Sequence, residues 1–263
     1  MLKLLIFDGD ETLWSTTPLY RAAKVEFARL MRRHVGTECS TAVETLERLD
    51  RENVKRFGFS ARRFPTSMAE TYVRLVVSTG QQPDFHLRDR AQALAARVFK
   101  LPPRRITGTK QVLSTLRANG FAMALCTKGD DDVQQSRICA SGVSRFFDKV
   151  YVVPQKSAAE FVRILRELHV DPNEACSIGD SVRSDINPAL ELDMCAVWVQ
   201  KDNWSFETER PVTTRRLNVI SDLRDLPDIV GTIAIALAGE HAHECSKARV
   251  RSVEGGRAVE GRP

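Results

Sequence analysis

The sequence predicts an α/β fold, a doubly wound and mainly parallel sheet, with an all-helical domain inserted after the first strand. Three observations predict it. Several short apolar runs are continuous rather than alternating, as strands covered on both faces require. Those runs take turns with stretches of helical length, the pattern of a parallel sheet wound by right-handed crossovers. Between Thr17 and Leu101, by contrast, helical segments follow one another with no convincing strand.

In chain order the strands are expected at residues 2–7 (LKLLIF), 121–126 (FAMALC), 149–153 (KVYVV), 175–178 (ACSI), 195–200 (CAVWVQ) and 217–220 (LNVI). Helices are expected over about 109–119, 131–141, 157–169, 184–192 and 222–230. Ser157-Ala-Ala-Glu160 has capping-box spacing, and Asn119-Gly120 is a stop for the helix before it. In the insertion, Pro18 suits a first helical turn, Thr41 precedes Glu44 and Ser67 precedes Glu70 at box spacing, and Asp84 opens the last segment. The chain therefore divides into a core of residues 1–16 plus 106–231, a helical cap over 17–105 and a flexible tail over 232–263. Pro102-Pro103 stiffens the return from the cap.

Composition narrows the function. The 263 residues, 43% hydrophobic and 28% charged, can bury a substantial core. No apolar run approaches the roughly 20 residues that cross a bilayer, and the N-terminus lacks a signal-peptide layout, so a cytoplasmic protein without a membrane partner is expected. The six cysteines are scattered without a CxxC pair; Cys126 and Cys176 sit in apolar runs and read as buried thiols. The net charge of +5 comes mainly from Ser15 to Arg105, where Lys and Arg outnumber Asp and Glu by about nine. No RNA-binding or zinc-finger pattern accompanies this excess, which reads as a solvated basic face rather than a nucleic-acid surface. His241, His243 and Cys245 lack a fourth ligand and are not taken as a metal site.

Ligands of an open parallel sheet bind beyond the carboxyl ends of its strands, and four such ends here carry a chemically useful group. Asp8 and Asp10 follow the first strand, Thr127 follows FAMALC, Lys156 stands shortly after KVYVV, and Asp180 follows ACSI with Asp185 beyond. Several carboxylates, a hydroxyl and an ammonium suit a hard divalent cation and a phosphoryl group. Asp8 and Asp10 point the same way on extended backbone and would repel unless a cation or a proton lay between them. Mg²⁺ bound by Asp8 and Asp180 leaves the carboxylate of Asp10 free to handle protons.

Together, Asp8-Gly-Asp10-Glu-Thr12-Leu, Thr127, Lys156 and Gly179-Asp180-Ser-Val-Arg-Ser-Asp185-Ile resemble, in order, the motifs of the haloacid dehalogenase-like (HAD) hydrolase superfamily. The insertion after the first motif is similar to that family's helical cap. The resemblance implies that Asp8 attacks phosphorus and that Asp10 serves as general acid and then general base. It implies that Thr127, Lys128 and Lys156 bind phosphate. Mg²⁺ would be held by Asp8, Asp180 and the backbone carbonyl of Asp10, with Thr12 and Asp185 as supports behind them. Dehalogenases and phosphonate-cleaving relatives depart from Asp at the position of Asp10, so its presence favours phosphate-ester hydrolysis.

The expected partner is a small phosphorylated metabolite and the expected assembly a monomer or homodimer. Trp14, Phe59, Arg63 and Phe64 are the candidate specificity residues, against simpler readings of the phenylalanines as cap packing and of Trp14 as a hinge anchor. A phosphotransferase or mutase, and a non-catalytic phosphate-sensing module, are the competing functions.

Overall fold

All four residues of β1 (Leu4–Phe7) are buried, and they divide between two cores. Leu5 and Phe7 join a cluster with Leu113, Leu125 and Ile178, whereas Leu4 and Ile6 join Cys126, Phe161 and Ile164 on the other face. This is the physical content of the unbroken apolar run, since a strand covered on both sides has no polar face to display. The computed structural model of the chain describes residues 1–201 and 209–240.

After β1 the two-residue strands β2 (Trp14–Ser15) and β3 (Arg104–Arg105) pair antiparallel and carry the chain into and out of the insertion. The sheet is completed by β4 (Ala122–Lys128), β5 (Lys149–Val153), β6 (Ala175–Gly179), β7 (Cys195–Val199) and β8 (Leu217–Ile220). Its order is β5-β4-β1-β6-β7-β8, and every pairing is parallel. The chain builds outward on one side of β1 and then crosses to the other, so the switch point lies where β1, β4 and β6 end.

The insertion consists of α1 (Thr17–Val35), α2 (Cys39–Phe57), α3 (Arg63–Ser78) and α4 (Phe85–Ala96), packed on a core of their own that includes Phe27, Met31, Leu46, Met68 and Tyr72. Asp84 caps α4 by accepting from the His86 amide at 2.7 Å. The box spacings at Thr41 and Ser67 do not mark starts, because both residues lie inside helices. Ser67 is fully buried and donates to Asp50 at 2.8 Å, so its hydroxyl serves a polar network within the cap. The start of α1 is capped from outside: Oε1 of Glu11 accepts from the amides of Thr16 (2.7 Å) and Thr17 (2.8 Å).

Around the sheet lie α5 (Thr109–Ala118), α6 (Asp131–Ser141) and α7 (Ala158–Leu168), the last capped by Ser157 through the Glu160 amide. Two expectations need correction. Instead of one helix over 184–192, a π-helical turn (Val182–Ile186) leads into the short α8 (Asn187–Leu190). The final helix, α9, runs over 226–240 rather than stopping near 230, and buries Ile233 and Leu237 in the main core. Residues 232–240 therefore pack on the core instead of forming a tail, because those apolar side chains continue the helical stripe. His241, His243 and Cys245 lie outside the described residues. Among the described residues, no helix is long and apolar enough to cross a membrane.

Candidate active site

The crevice beyond β1, β4 and β6 gathers the charged groups from four chain segments. Asp8 leaves β1 with its amide bonded to the Ile178 carbonyl at 2.8 Å, which continues the β1–β6 ladder by one residue. Gly9 then turns the chain, its carbonyl accepting from the Leu13 amide at 2.8 Å. A side chain at Gly9 would intrude on the Trp14 indole and approach the Thr127 hydroxyl to 3.2 Å. That empty space lets Trp14 fold under the loop and donate from Nε1 to Asp10 Oδ1 at 2.6 Å.

One carboxylate oxygen each from Asp8, Asp180 and Asp185 fall within 4.8 Å of one another. The Lys156 ammonium enters the same cluster from the loop after β5, pairing with Asp8 and, at 2.5 Å, with Asp185. Asp185 also accepts from the Ser181 amide at 3.0 Å, and its π-helical turn carries it back against β6. Ser181 caps that turn, its hydroxyl oxygen accepting from the Ser184 amide at 3.2 Å. Gly179 makes the approach possible, since a Cβ there would overlap the Asp185 carboxyl. Gly179→Ala is accordingly expected to destabilise the protein by about 1–3 kcal/mol, measured by denaturant unfolding. A melt unchanged from wild type would contradict that packing.

Three carboxylates around one ammonium leave the cluster negative. Burial, reinforced by Asp185 against the pull of Lys156, pushes the Asp8 carboxyl up to about 6. Burial and then the charges of Asp8 and Asp185 raise Asp180 well above the usual carboxylate range. Burial works to lower Lys156, but Asp185 and Asp8 outweigh it and hold the ammonium above its ordinary value. The donor set is all oxygen, crowded and over-charged, which fits a hard divalent cation. The buried Thr127 hydroxyl beside it has no protein partner, as a phosphoryl-oxygen donor requires.

Asp10 is held by three donors. Besides Trp14, Gln134 Nε2 reaches Oδ2 at 2.9 Å and Arg137 Nη1 reaches it at 2.7 Å. Burial nevertheless raises this carboxyl above its usual range, outweighing the lowering effect of Arg137. Neither Gln134 nor Arg137 was singled out from sequence. Both stand on α6 three residues apart, a spacing that reads equally well as a solvated helix face.

Lys128 donates to Ser184 Oγ at 2.9 Å and lies 4.0 Å from the centre of the Phe59 ring, so the cap loop rests on the core at this lysine. Asp130 ties the same loop down by accepting from the Ala61 amide at 2.6 Å. Between cap and core lies a cavity of about 480 Å³, with Asp8, Asp180 and Lys156 on one side and Phe59, Arg63 and Phe64 on the other. Arg63 is buried beside Asp50 at 3.2 Å, and Phe64 packs edge-on against Tyr20. Trp14 does not line this cavity, which corrects its candidacy as a specificity residue; it is fully buried, pairs with Arg105 as the hinge-anchor alternative expects, and supports Asp10. Thr12 is likewise fully buried away from the cavity wall.

A family model described as haloacid dehalogenase-like hydrolase matches residues 2–193. The chain is 27% identical over 209 residues to the glyceraldehyde 3-phosphate phosphatase of Pyrococcus abyssi, covering 75% of this chain and 81% of the relative. It is 26% identical over 251 residues to the phosphoserine phosphatase of Thermus thermophilus, covering 86% and 98%. The crystal structure of a haloacid dehalogenase-like family hydrolase from Xanthomonas campestris shares the fold with a TM-score of 0.76 and 26% identity, covering 91% of this chain and 94% of that one. The family model spans well over half of the chain, and the chain belongs to the haloacid dehalogenase-like hydrolase family.

Proposed function

We propose that the protein is a Mg²⁺-dependent phosphatase that hydrolyses a small phosphomonoester through an aspartyl-phosphate on Asp8. The observation that carries this reading is the convergence of Asp8, Asp180, Asp185 and Lys156 beside the unpartnered Thr127 hydroxyl, with Asp10 two residues from the nucleophile. The relatives named as phosphatases of glyceraldehyde 3-phosphate and phosphoserine support a small phosphorylated substrate, and the cavity is of a size to enclose one.

Asp8 attacks phosphorus, forming an acyl phosphate as the ester P–O bond breaks, and Asp10 gives its proton to the departing oxygen. Water then attacks the same phosphorus. Asp10 takes up its proton, the Asp8–phosphorus bond breaks, and orthophosphate leaves. Thr127 donates to a phosphoryl oxygen, while Lys156 and Lys128 offset charge on the transferred group. The carboxylates of Asp8 and Asp180 and the backbone carbonyl of Asp10 would hold Mg²⁺, which supplies charge neutralisation during transfer. Asp185, fixed by Lys156 and the Ser181 amide, steadies that set from behind.

A panel of phosphomonoesters assayed with Mg²⁺ and with chelator tests this reading, and turnover is expected with the metal alone. In Asp10→Asn the rate should fall by about 10²–10⁴-fold for alkyl esters and much less for p-nitrophenyl phosphate, whose leaving group hardly needs a proton. An equal loss on every ester would remove Asp10 as the acid.

Stability carries a second signature. A carboxyl raised from 3.8 to about 6 favours its protonated form in the fold, so its contribution is full below the unfolded value and is lost as pH climbs through the folded one. The metal-free protein is therefore expected to lose stability as pH rises through about 6. Added Mg²⁺ should raise the Tm far more at about pH 8 than at about pH 5, where protons compete with it. Equal shifts at both pH values would contradict the assignment of Asp8 as a ligand.

A further inference from the structure

Two buried side chains on the cavity wall each keep polar atoms that the contacts described above leave unbonded. Arg137 is 6% exposed and spends only Nη1, on Asp10. Its Nε and Nη2 are buried and bond to nothing. Those two nitrogens form one edge of the planar guanidinium, the edge that matches both oxygens of a carboxylate. Gln134, 2% exposed and one helical turn earlier on α6, donates through Nε2 to Asp10 and to the Lys128 carbonyl at 3.0 Å. With both acceptors on the nitrogen side, Oε1 is the atom left over, and it too is buried without a partner. Leaving an Arg edge and an amide oxygen unsatisfied is costly, and a ligand that bonds them recovers that cost.

We propose that Arg137 is a substrate-recognition residue and that the substrate's organic portion carries a carboxylate a few bonds from the ester oxygen. The free guanidinium edge takes the carboxylate, and Gln134 Oε1 takes a hydroxyl or ammonium hydrogen next to it. Because the same guanidinium holds Asp10, a correctly seated leaving group and a correctly aimed acid come together. Phe99, on the turn leading out of the cap, lies with its ring centre 5.9 Å from the guanidinium carbon and lines the same cavity. This inference rests on the phosphatase reading and names the leaving-group class for that site.

The test compares 3-phosphoglycerate with glycerol 3-phosphate, which differ in a carboxylate against a hydroxymethyl, with p-nitrophenyl phosphate as a reporter of the core chemistry. Wild type is expected to favour 3-phosphoglycerate in kcat/KM by about tenfold or more. Arg137→Lys keeps a cation beside Asp10 but has no fork. It should lose that preference through a KM raised for 3-phosphoglycerate alone, beyond any common factor in kcat, shared by all three esters, that follows from its contact with Asp10. Arg137→Met should lose the preference and, in addition, a common factor in kcat on all three esters. Thermal melts of both variants establish that they fold. A wild type indifferent to the carboxylate, or Arg137→Lys falling by the same factor on both glycerol-based esters, would overturn the proposal while leaving the phosphatase reading intact. Absence of turnover on all three esters by wild type would overturn both.

Discussion

Asp8→Asn is expected to lose turnover by about 10⁴-fold or more while keeping its fold, because a carboxamide in place of the proposed nucleophile forms no acyl phosphate. Asparagine has the same shape, so the amide of residue 8 can still continue the β1–β6 ladder. It also removes one of three carboxylates crowded around a single ammonium, and Lys156 retains Asp185 at 2.5 Å. The metal-free variant should therefore melt no lower than wild type at neutral pH, and it should bind Mg²⁺ more weakly. Loss of activity through unfolding would show as a lowered Tm. Loss of the nucleophile would not, and the two measurements made together separate these causes.

Lys156→Met should show the converse pattern, with a large loss of stability accompanying the loss of rate. The lysine is buried between two carboxylates that are themselves buried, and removing it leaves Asp8 and Asp185 uncompensated. Breaking a buried pair from one side costs about 3–5 kcal/mol, and here two acceptors lose the same donor. Since the orphaned Asp8 carboxyl can escape by taking up a proton, the deficit relative to wild type should grow as pH rises above about 6 and shrink on acidification. Mg²⁺ should return part of it at neutral pH. Denaturant unfolding at several pH values, with and without the metal, measures all of this, and a variant as stable as wild type at neutral pH would show that the cluster is not held together by this ammonium.

The parallel sheet and the residues at its strand tips were legible because both follow from short-range patterns. An unbroken apolar run can only be a strand or helix covered on both faces, and a polar group after such a run falls at the switch point once the topology is known. The sheet positions of Asp8, Thr127 and Asp180 needed nothing more. Spacing rules failed where tertiary packing competed with them. Ser67 matched a capping box but is committed to Asp50, and the helix over 226–240 continued because Ile233 and Leu237 had a core to meet. The α1 cap was invisible for a different reason: Glu11 reaches it from the preceding loop, through a residue with φ of 59° that no capping motif describes. Gln134 and Arg137 were missed since a polar pair on a helix reads as solvated until another segment brings Asp10 against it.

Acid-quenched samples of protein turning over a phosphomonoester, analysed by peptide mass spectrometry, test the central claim most directly. The expected result is one phosphoryl group on the peptide carrying Asp8, formed only with Mg²⁺, released by hydroxylamine and absent from Asp8→Asn. Steady release of orthophosphate with no phosphorylated peptide, or with the phosphoryl group on another residue, would contradict it.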